Sequence, residues 1–586
     1  MWKKRMLGWL FITMFGFLLL GFRLMQIQLF TTESFSKHQI NLIEESVKQR
    51  SQEFVVDNGR GLILDRNGNL LNGKKVYVLV LFPFVKNTDW DREKVAQLSG
   101  IPRTMLDNAV NRAKKPFVFG QTDPFTLTDT QMKQINALNI PGVFAIAKRQ
   151  DRADFAAQQL IGLTGENQKE FMRRYPDKAR SSQTLIGVSG LEQSFDEFLL
   201  PEGKAKLVYH VDGNGAPLFG LTVRYADPAN PYYPVNIRTT IDKAIQDQAE
   251  ALLDGYHIQK GGIILLDIKS NSILALASRP KINQKSPYMG IGMTNTMVKQ
   301  QIIGSVFKTV VAAAAIDANL DTPKRQFDCS KKISGESDET YRYGMLNFAD
   351  SFAKSCNNTF GQLAWELTKN RPNVLKDYAA KLSLTGPVGW QGRVFHSNDF
   401  KQLSDEDTGR VFLTEADQQD ANDVAMAGIG QREVRATPLA VANMMAAIAR
   451  GGQAKTVRAV SKIEYKNGAT MFEFNEKNLP DAAISPYTAM KLQKLLRSVV
   501  IHPQGTGRWL QTLPYEVAGK SGTAETGKFK EGKQLHNKWF AGYFPYHDPK
   551  YALVAVNLDV YDREGGVNSL FADMVRIVYD FDHRQE

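Results

Sequence analysis

Cysteine is nearly absent: Cys329 and Cys356 are the only two in 586 residues. A disulfide scaffold or a thiolate metal site needs more cysteines at defined spacing, so both are excluded. The histidines are as uninformative, with His38, His210, His257, His396, His502, His536, His547 and His583 scattered and no HExxH among them. No metal and no cofactor is therefore expected. No G-x-S-x-G elbow is present, which disfavours an ordinary Ser-His-Asp hydrolase. The Gly519-Lys520-Ser521 triplet is not a phosphate loop either, because Pro514 stands where a Walker A motif needs its first glycine. No repeat period and no low-complexity tract appears. The net charge of +12 is dispersed, without the basic-plus-aromatic signature of a nucleic-acid module, so nucleic acid is not an expected partner.

What the chain does have begins at its N-terminus. Met6 to Phe22 is an uncharged apolar run, about as long as the shortest helix that crosses a hydrocarbon core. Lys3, Lys4 and Arg5 precede it, which predicts a cytoplasmic N-terminus and an exported remainder. Cleavage as a signal peptide needs small residues after the run, and bulky FRLMQIQLF stands there. An uncleaved anchor over residues 1–30 is the expectation.

Residues 31–235 read as an extended, strand-rich module, with alternating runs such as KVYVLVLF at Lys75 to Phe82. From 236 to 586 the pattern changes. Gly262 to Asp267 and Ser272 to Ala277 predict two buried strands, followed by helical patterns at Val306 to Asp317, Phe360 to Lys369 and Pro438 to Arg450. Strands return at Glu516 to Thr523, Trp539 to Phe544 and Tyr551 to Leu558, with a closing helix near Ser569 to Phe581. Strands at both ends with helices between them predict an α+β domain: an antiparallel sheet flanked by helices, with an inserted helical subdomain.

Ser-x-x-Lys occurs at Ser34, Ser278, Ser305 and Ser351. Pro280 disfavours a helix through Lys281, and Ser34 lies in a polar stretch just past the anchor. Ser305 follows Gly304 and opens an Ala-rich run that favours a helix. At a helix start, positions three apart share a face, so Lys308 comes within reach of the Ser305 hydroxyl. An ordinary N-cap explains such a serine equally well. Two further signals select the chemical reading: Ser355-Cys356-Asn357 downstream, and Lys520-Ser521-Gly522-Thr523 on a predicted strand.

In this order and spacing the three motifs resemble those of the penicillin-binding proteins and serine β-lactamases. Arg60 to Gly68 (RGLILDRNG) and Gly187 to Glu192 (GVSGLE) are similar to N-terminal boxes of the class B penicillin-binding proteins. Gly428-Ile429-Gly430-Gln431, Thr437-Pro438-Leu439 and Trp539 to Tyr543 (WFAGY) are similar to further transpeptidase segments. Arg149 to Gly162 departs from the family, lacking its Arg-x-Tyr-Pro stretch.

The resemblance implies a peptidoglycan D,D-transpeptidase with a transpeptidase domain at 236–586 and a pedestal at 31–235. Ser305 would attack the penultimate carbonyl of a D-Ala-D-Ala stem peptide, with Lys308 as base and Ser355 relaying a proton to the leaving amine. Asn357 would bind the substrate amide, and Lys520, Ser521 and Thr523 the terminal carboxylate. Gly522 would let the substrate lie along the strand, and the N–H groups of Ser305 and Thr523 would form the oxyanion hole. Expected partners are stem peptides, β-lactams, the cytoplasmic membrane, a glycosyltransferase and division, elongation or sporulation machinery. A D,D-carboxypeptidase and a non-catalytic cell-wall scaffold are the alternatives, and Cys329 and Cys356 are either paired or free.

Overall fold

The structure, a computed structural model, describes residues 2–584 except 33–40, 43–44, 47–50, 121–123, 151–154, 178–183, 211–223, 227–229, 284 and 340–341. Ser34 and the 151–154 part of the divergent segment lie outside the described residues. The chain divides into two compact units: Met1–Gly59, Lys75–Gln150 and Pro201–Asn230 form one, and Arg60–Lys74, Asp151–Leu200 and Pro231–Glu586 form the other.

Helix α1 (Trp2–Met25) opens the first unit and continues as a π-helical turn over Gln26–Phe30. The combined segment is long and apolar enough to cross a membrane, and none of it is buried against protein. Its Leu, Phe, Met and Trp side chains therefore face outward, as a single membrane span requires. The rest of the unit is a three-stranded sheet (Ser51–Asp57, Ala205–His210, Arg224–Ala226) and a four-stranded sheet around Lys74–Leu81. Three helices join these strands, at Arg92–Ser99, Arg103–Arg112 and Asp129–Ala137. Two of them start where side chains satisfy orphan N–H groups: Asp91 accepts from Lys94 N, and Thr128 and Gln131 form a capping box.

In the second unit, α2 (Lys243–Gly255) precedes strands β1 (Gly261–Asp267) and β2 (Ser272–Arg279). Helices α3 (Lys308–Asp317), α4 (Asn357–Asn370), α5 (Pro438–Ala449) and α6 (Pro486–Ile501) follow. Strands β3 (Ala518–Lys530), β4 (Lys533–Phe544) and β5 (Tyr551–Tyr561) and helix α7 (Asn568–Arg584) complete it. The five strands form one antiparallel sheet in the order β2-β1-β5-β4-β3, so both chain ends of the domain build it.

Both faces of the sheet are covered, which is why its strands read as continuous apolar runs. Ile263, Leu265, Phe540, Phe544 and Leu553 pack with α2 and α7. The alternate residues Ile264, Leu266, Trp539, Ala541, Val554 and Val556 pack with α3 and α5. Every residue of α5 is buried, and Thr437 caps it by accepting from Ala440 N at 3.0 Å. Strand β3 is at the sheet edge, so the side of it away from β4 is open to a ligand backbone.

The two N-terminal boxes meet inside this unit. Arg60 is buried and donates to Glu192 Oε2 at 2.7 and 2.9 Å and to Asp196 Oδ1 at 2.8 Å. Asn72 holds the other Glu192 oxygen at 2.7 Å. Residues more than a hundred positions apart thereby lock Arg60–Lys74 to Asp151–Leu200.

Candidate active site

The described Ser-x-x-Lys serines have three different environments. Ser278 is buried in β2, hydrogen-bonded to Thr296 at 2.8 Å, and Ser351 is buried with the hydroxyl of Thr359 at 3.0 Å. Both are structural. Ser305 alone lines a cleft of about 340 Å³.

Ser305 lies within a single 3₁₀ turn, Gly304–Phe307, and α3 begins only at Lys308. The N-cap positions of the two elements are Ile303 and Phe307, so the N-cap explanation of Ser305 does not hold. The turn is set by close backbone approaches. Gly304 has φ +57°, and a Cβ there would stand 2.3 Å from the Thr523 carbonyl oxygen; a Cβ on Gly430 would stand 1.9 Å from Gly304 O. Glycine is required at both, since any side chain would push β3 or the 428–431 loop off the Ser305 turn.

Lys308 and Lys520 are fully buried. Lys308 Nζ donates to Ser355 O at 2.6 Å and to Asn357 Oδ1 at 2.6 Å, and lies 3.1 Å from Ser355 Oγ. These three contacts, rather than one with the Ser305 hydroxyl, define its position. Lys520 Nζ lies 2.9 Å from the same Ser355 Oγ. One hydroxyl thus bridges the two lysine nitrogens. Burial first, and the neighbouring charge of Lys520 second, hold Lys308 well below the usual lysine range. Burial brings Lys520 down to about 7. A neutral Lys308 uses its two N–H bonds on the two carbonyl oxygens and keeps a lone pair for an incoming proton.

Ser355 follows helix Phe348–Ala353 and adopts φ +60°, a left-handed conformation that costs a non-glycine residue about 1 kcal/mol or more. The turn presents its hydroxyl and its carbonyl to the same lysine. Asn357, exposed, opens α4. Cys329 and Cys356 are disulfide-bonded, which closes the question left open by the sequence. Both line the cleft beside Ser355 and Asn357, so the bridge ties that wall to the 327–329 segment.

Ser521 and Thr523 also line the cleft, with Ser521 Oγ donating to Thr506 Oγ1 at 2.7 Å. Gly522 is buried; a Cβ would meet Ile303 O at 2.7 Å and Val306 at 2.9 Å. All the sequence-derived residues therefore belong to one site. Two participants were not singled out. Thr506 carries no motif at all. Gln431 stands in the GIGQ segment, and its side-chain amide donates to Thr523 O at 3.3 Å and accepts from Glu525 N at 3.0 Å, mimicking a peptide group on the open edge of β3.

The chain was compared with known proteins. Residues 261–573 match the penicillin binding protein transpeptidase domain, and residues 56–230 the penicillin-binding protein dimerisation domain. The peptidoglycan D,D-transpeptidase MrdA of Haemophilus influenzae is 26% identical over 579 residues, covering 89% of this chain and 84% of its own. The stage V sporulation protein D of Bacillus subtilis is 25% identical over 583 residues, covering 93% and 80%. Among solved structures, a chain described under "Structural coordination of polymerization and crosslinking by a peptidoglycan synthase complex" aligns with TM-score 0.64 at 21% identity, over 98% of this chain and 97% of that one. Penicillin-binding protein 2B of Streptococcus pneumoniae aligns with TM-score 0.57 at 18% identity, over 90% and 99%. The last two show the fold.

Proposed function

The chain belongs to the class B penicillin-binding proteins, and from that membership we propose that it is a peptidoglycan D,D-transpeptidase acting through an acyl-enzyme on Ser305. The observation that carries this reading is the pair of buried lysines bridged by Ser355 Oγ beside Ser305. Removing a proton from an ordinary lysine at pH 7 costs about 4.6 kcal/mol, leaving about one molecule in 2,500 neutral. Here burial and Lys520 supply that work before substrate arrives.

Lys308 takes the Ser305 proton as Oγ attacks the penultimate carbonyl of a stem peptide ending in D-Ala-D-Ala. The oxyanion sits on the N–H groups of Ser305 and Thr523, whose segments are held together by the Gly304 contact. Such a donor is worth roughly 3 kcal/mol. Ser355, touching both lysines, passes the proton to the leaving D-alanine. Lys520, Ser521 and Thr523 hold the terminal carboxylate, which restores the charge on Lys520 by pairing with it. Asn357 binds the substrate amide. An amine of a second stem peptide then takes the acyl group.

A β-lactam enters by the same attack and remains on Ser305. The span at Trp2–Phe30, with Lys3, Lys4 and Arg5 on the cytoplasmic side, tethers the catalytic domain outside the membrane; the structure moves the expected 31–235/236–586 boundary, because Arg60–Lys74 and Asp151–Leu200 belong to the same unit as the catalytic residues. A glycosyltransferase supplying nascent glycan is the natural partner, a reading supported by the likeness to a chain from a synthase complex.

The test labels one sample of the full-length protein with a fluorescent penicillin and supplies lipid-linked disaccharide pentapeptide to a second, unlabelled sample. Covalent label absent from Ser305→Ala, with cross-linked dimers as product, is the expected result. Tetrapeptide alone would make the protein a carboxypeptidase, and no label on the wild type would overturn the reading.

A further inference from the structure

Transfer needs a second ligand, and the cleft that holds the donor is poorly suited to it: a protonated amine would approach two buried lysines. A second cavity, of about 460 Å³, flanks β3 on the face that packs toward α7. Ser521, Thr523 and Asp562 line both cavities, so the two open onto each other along the strand that carries the substrate-binding residues. Thr523 stands opposite Lys538 in the β3/β4 register, and Lys538 Nζ reaches Asp562 Oδ1 at 3.1 Å.

The lining is of mixed sign and largely accessible. Asp562, Arg563 and Glu564 are exposed, and Trp509 is 63% exposed with the Arg508 guanidinium 4.0 Å from its ring centroid. In the first cleft, which Asp562 also lines, His536 Nδ1 is buried with no hydrogen-bond partner among the described residues. Its Nε2 lies 3.9 Å from Asp562 Oδ1, and in the neutral tautomer that carries its proton on Nε2 the Nδ1 lone pair is an unused acceptor. An unsatisfied buried acceptor beside carboxylates is what an ammonium donor would complete.

We propose that this second cavity binds the acceptor: a zwitterionic stem peptide, its body against Trp509, its carboxylates on Arg563 and Lys538, and its nucleophilic amine carried to the edge of the first cleft, next to Thr523, by Asp562, which lines both cavities, and by His536. The inference rests on the transpeptidase reading above and names the second substrate's place. The bound ammonium first gives one proton to solvent. The free amine then attacks the acyl carbon, a C–N bond forms, the C–Oγ bond to Ser305 breaks, and the second amine proton returns to Ser305 Oγ through Lys308.

The experiment uses the full-length protein, a thioester analogue of the D-alanyl donor, and two acceptors in competition. D-alanine re-enters the leaving-group place, whereas a tetrapeptide bearing a free side-chain amine needs the second cavity. The ratio of tetrapeptide transfer to D-alanine exchange should fall at least tenfold in Asp562→Asn, Arg563→Ala and Trp509→Ala. A ratio within twofold of wild type in all three, or a tetrapeptide rate no faster than that of an uncharged amine of equal length, overturns the proposal. Should Asp562→Asn fail to take penicillin label, the exposed positions 509 and 563 decide. A wild type that takes no label overturns the transpeptidase reading and this inference with it; a labelled wild type with unchanged ratios overturns this inference alone.

Discussion

Lys520→Met tests how Lys308 is made basic. The methionine keeps the volume and removes the charge. Lys308 and Lys520 touch the same Ser355 Oγ at 3.1 and 2.9 Å, so their nitrogens are at most about 6 Å apart, and at an effective dielectric of about 20 two unit charges at that distance repel by roughly 3 kcal/mol. Burial, the larger cause of the lowered Lys308 pKa, is untouched by the substitution. Lys308 must be neutral to accept the Ser305 proton, so acylation falls on the acid side as Lys308 becomes protonated. Removing a neighbouring positive charge favours protonated Lys308, and the acid limb must move to higher pH. The assay is the second-order rate of fluorescent penicillin acylation between pH 5 and pH 10, for wild type and variant. An acid limb at higher pH, at a reduced plateau because the carboxylate anchor is gone, is expected. A limb at the same or lower pH would refute the idea that Lys520 helps to deprotonate Lys308.

Three further outcomes follow from the same geometry. Ser355→Ala should slow acylation by about 10²–10⁴-fold with little change in melting temperature, because Ser355 O and Asn357 Oδ1 still hold Lys308; stopped-flow labelling reads the rate. In Gly304→Ala the new methyl would meet Thr523 O at 2.3 Å in a left-handed backbone, so penicillin labelling should fall more than about a hundredfold as β3 withdraws from the oxyanion hole. Arg60→Met strands the buried carboxylates of Glu192 and Asp196; a loss of about 3–5 kcal/mol is expected, read as a lower denaturant midpoint.

The sheet was legible because burial on both faces writes uninterrupted apolar runs into β1, β4 and β5, and the clustering of Ser305 with the other motif residues because three motifs in order exceed what chance spacing gives. The first unit was less legible. Its helices at Arg92–Ser99 and Asp129–Ala137 announce themselves mainly by capping residues, Asp91 and Thr128, within a stretch dominated by strand-like alternation. The partners of Lys308 were illegible for another reason. Spacing within a helix says that Lys308 can reach Ser305, but nothing local says that Ser355 turns through φ +60° to present both its oxygens.

The Arg60 to Gly68 and Gly187 to Glu192 boxes show how a sequence signal can be read without its cause. Each appears along the chain as a short family signature. In space they are one object, a guanidinium sealed between two carboxylates, and a buried charge without its partners is costly enough that neither box can change alone. The same reasoning explains Gly304, Gly430 and Gly522. None bears chemistry, yet each sits where a Cβ would strike a backbone oxygen, and together they clamp the Ser305 turn, the GIGQ loop and the edge strand into one wall. Ser305 is thus positioned less by its own helix than by three glycines from distant parts of the chain, which is why an isolated Ser-x-x-Lys carries no information and the full set does.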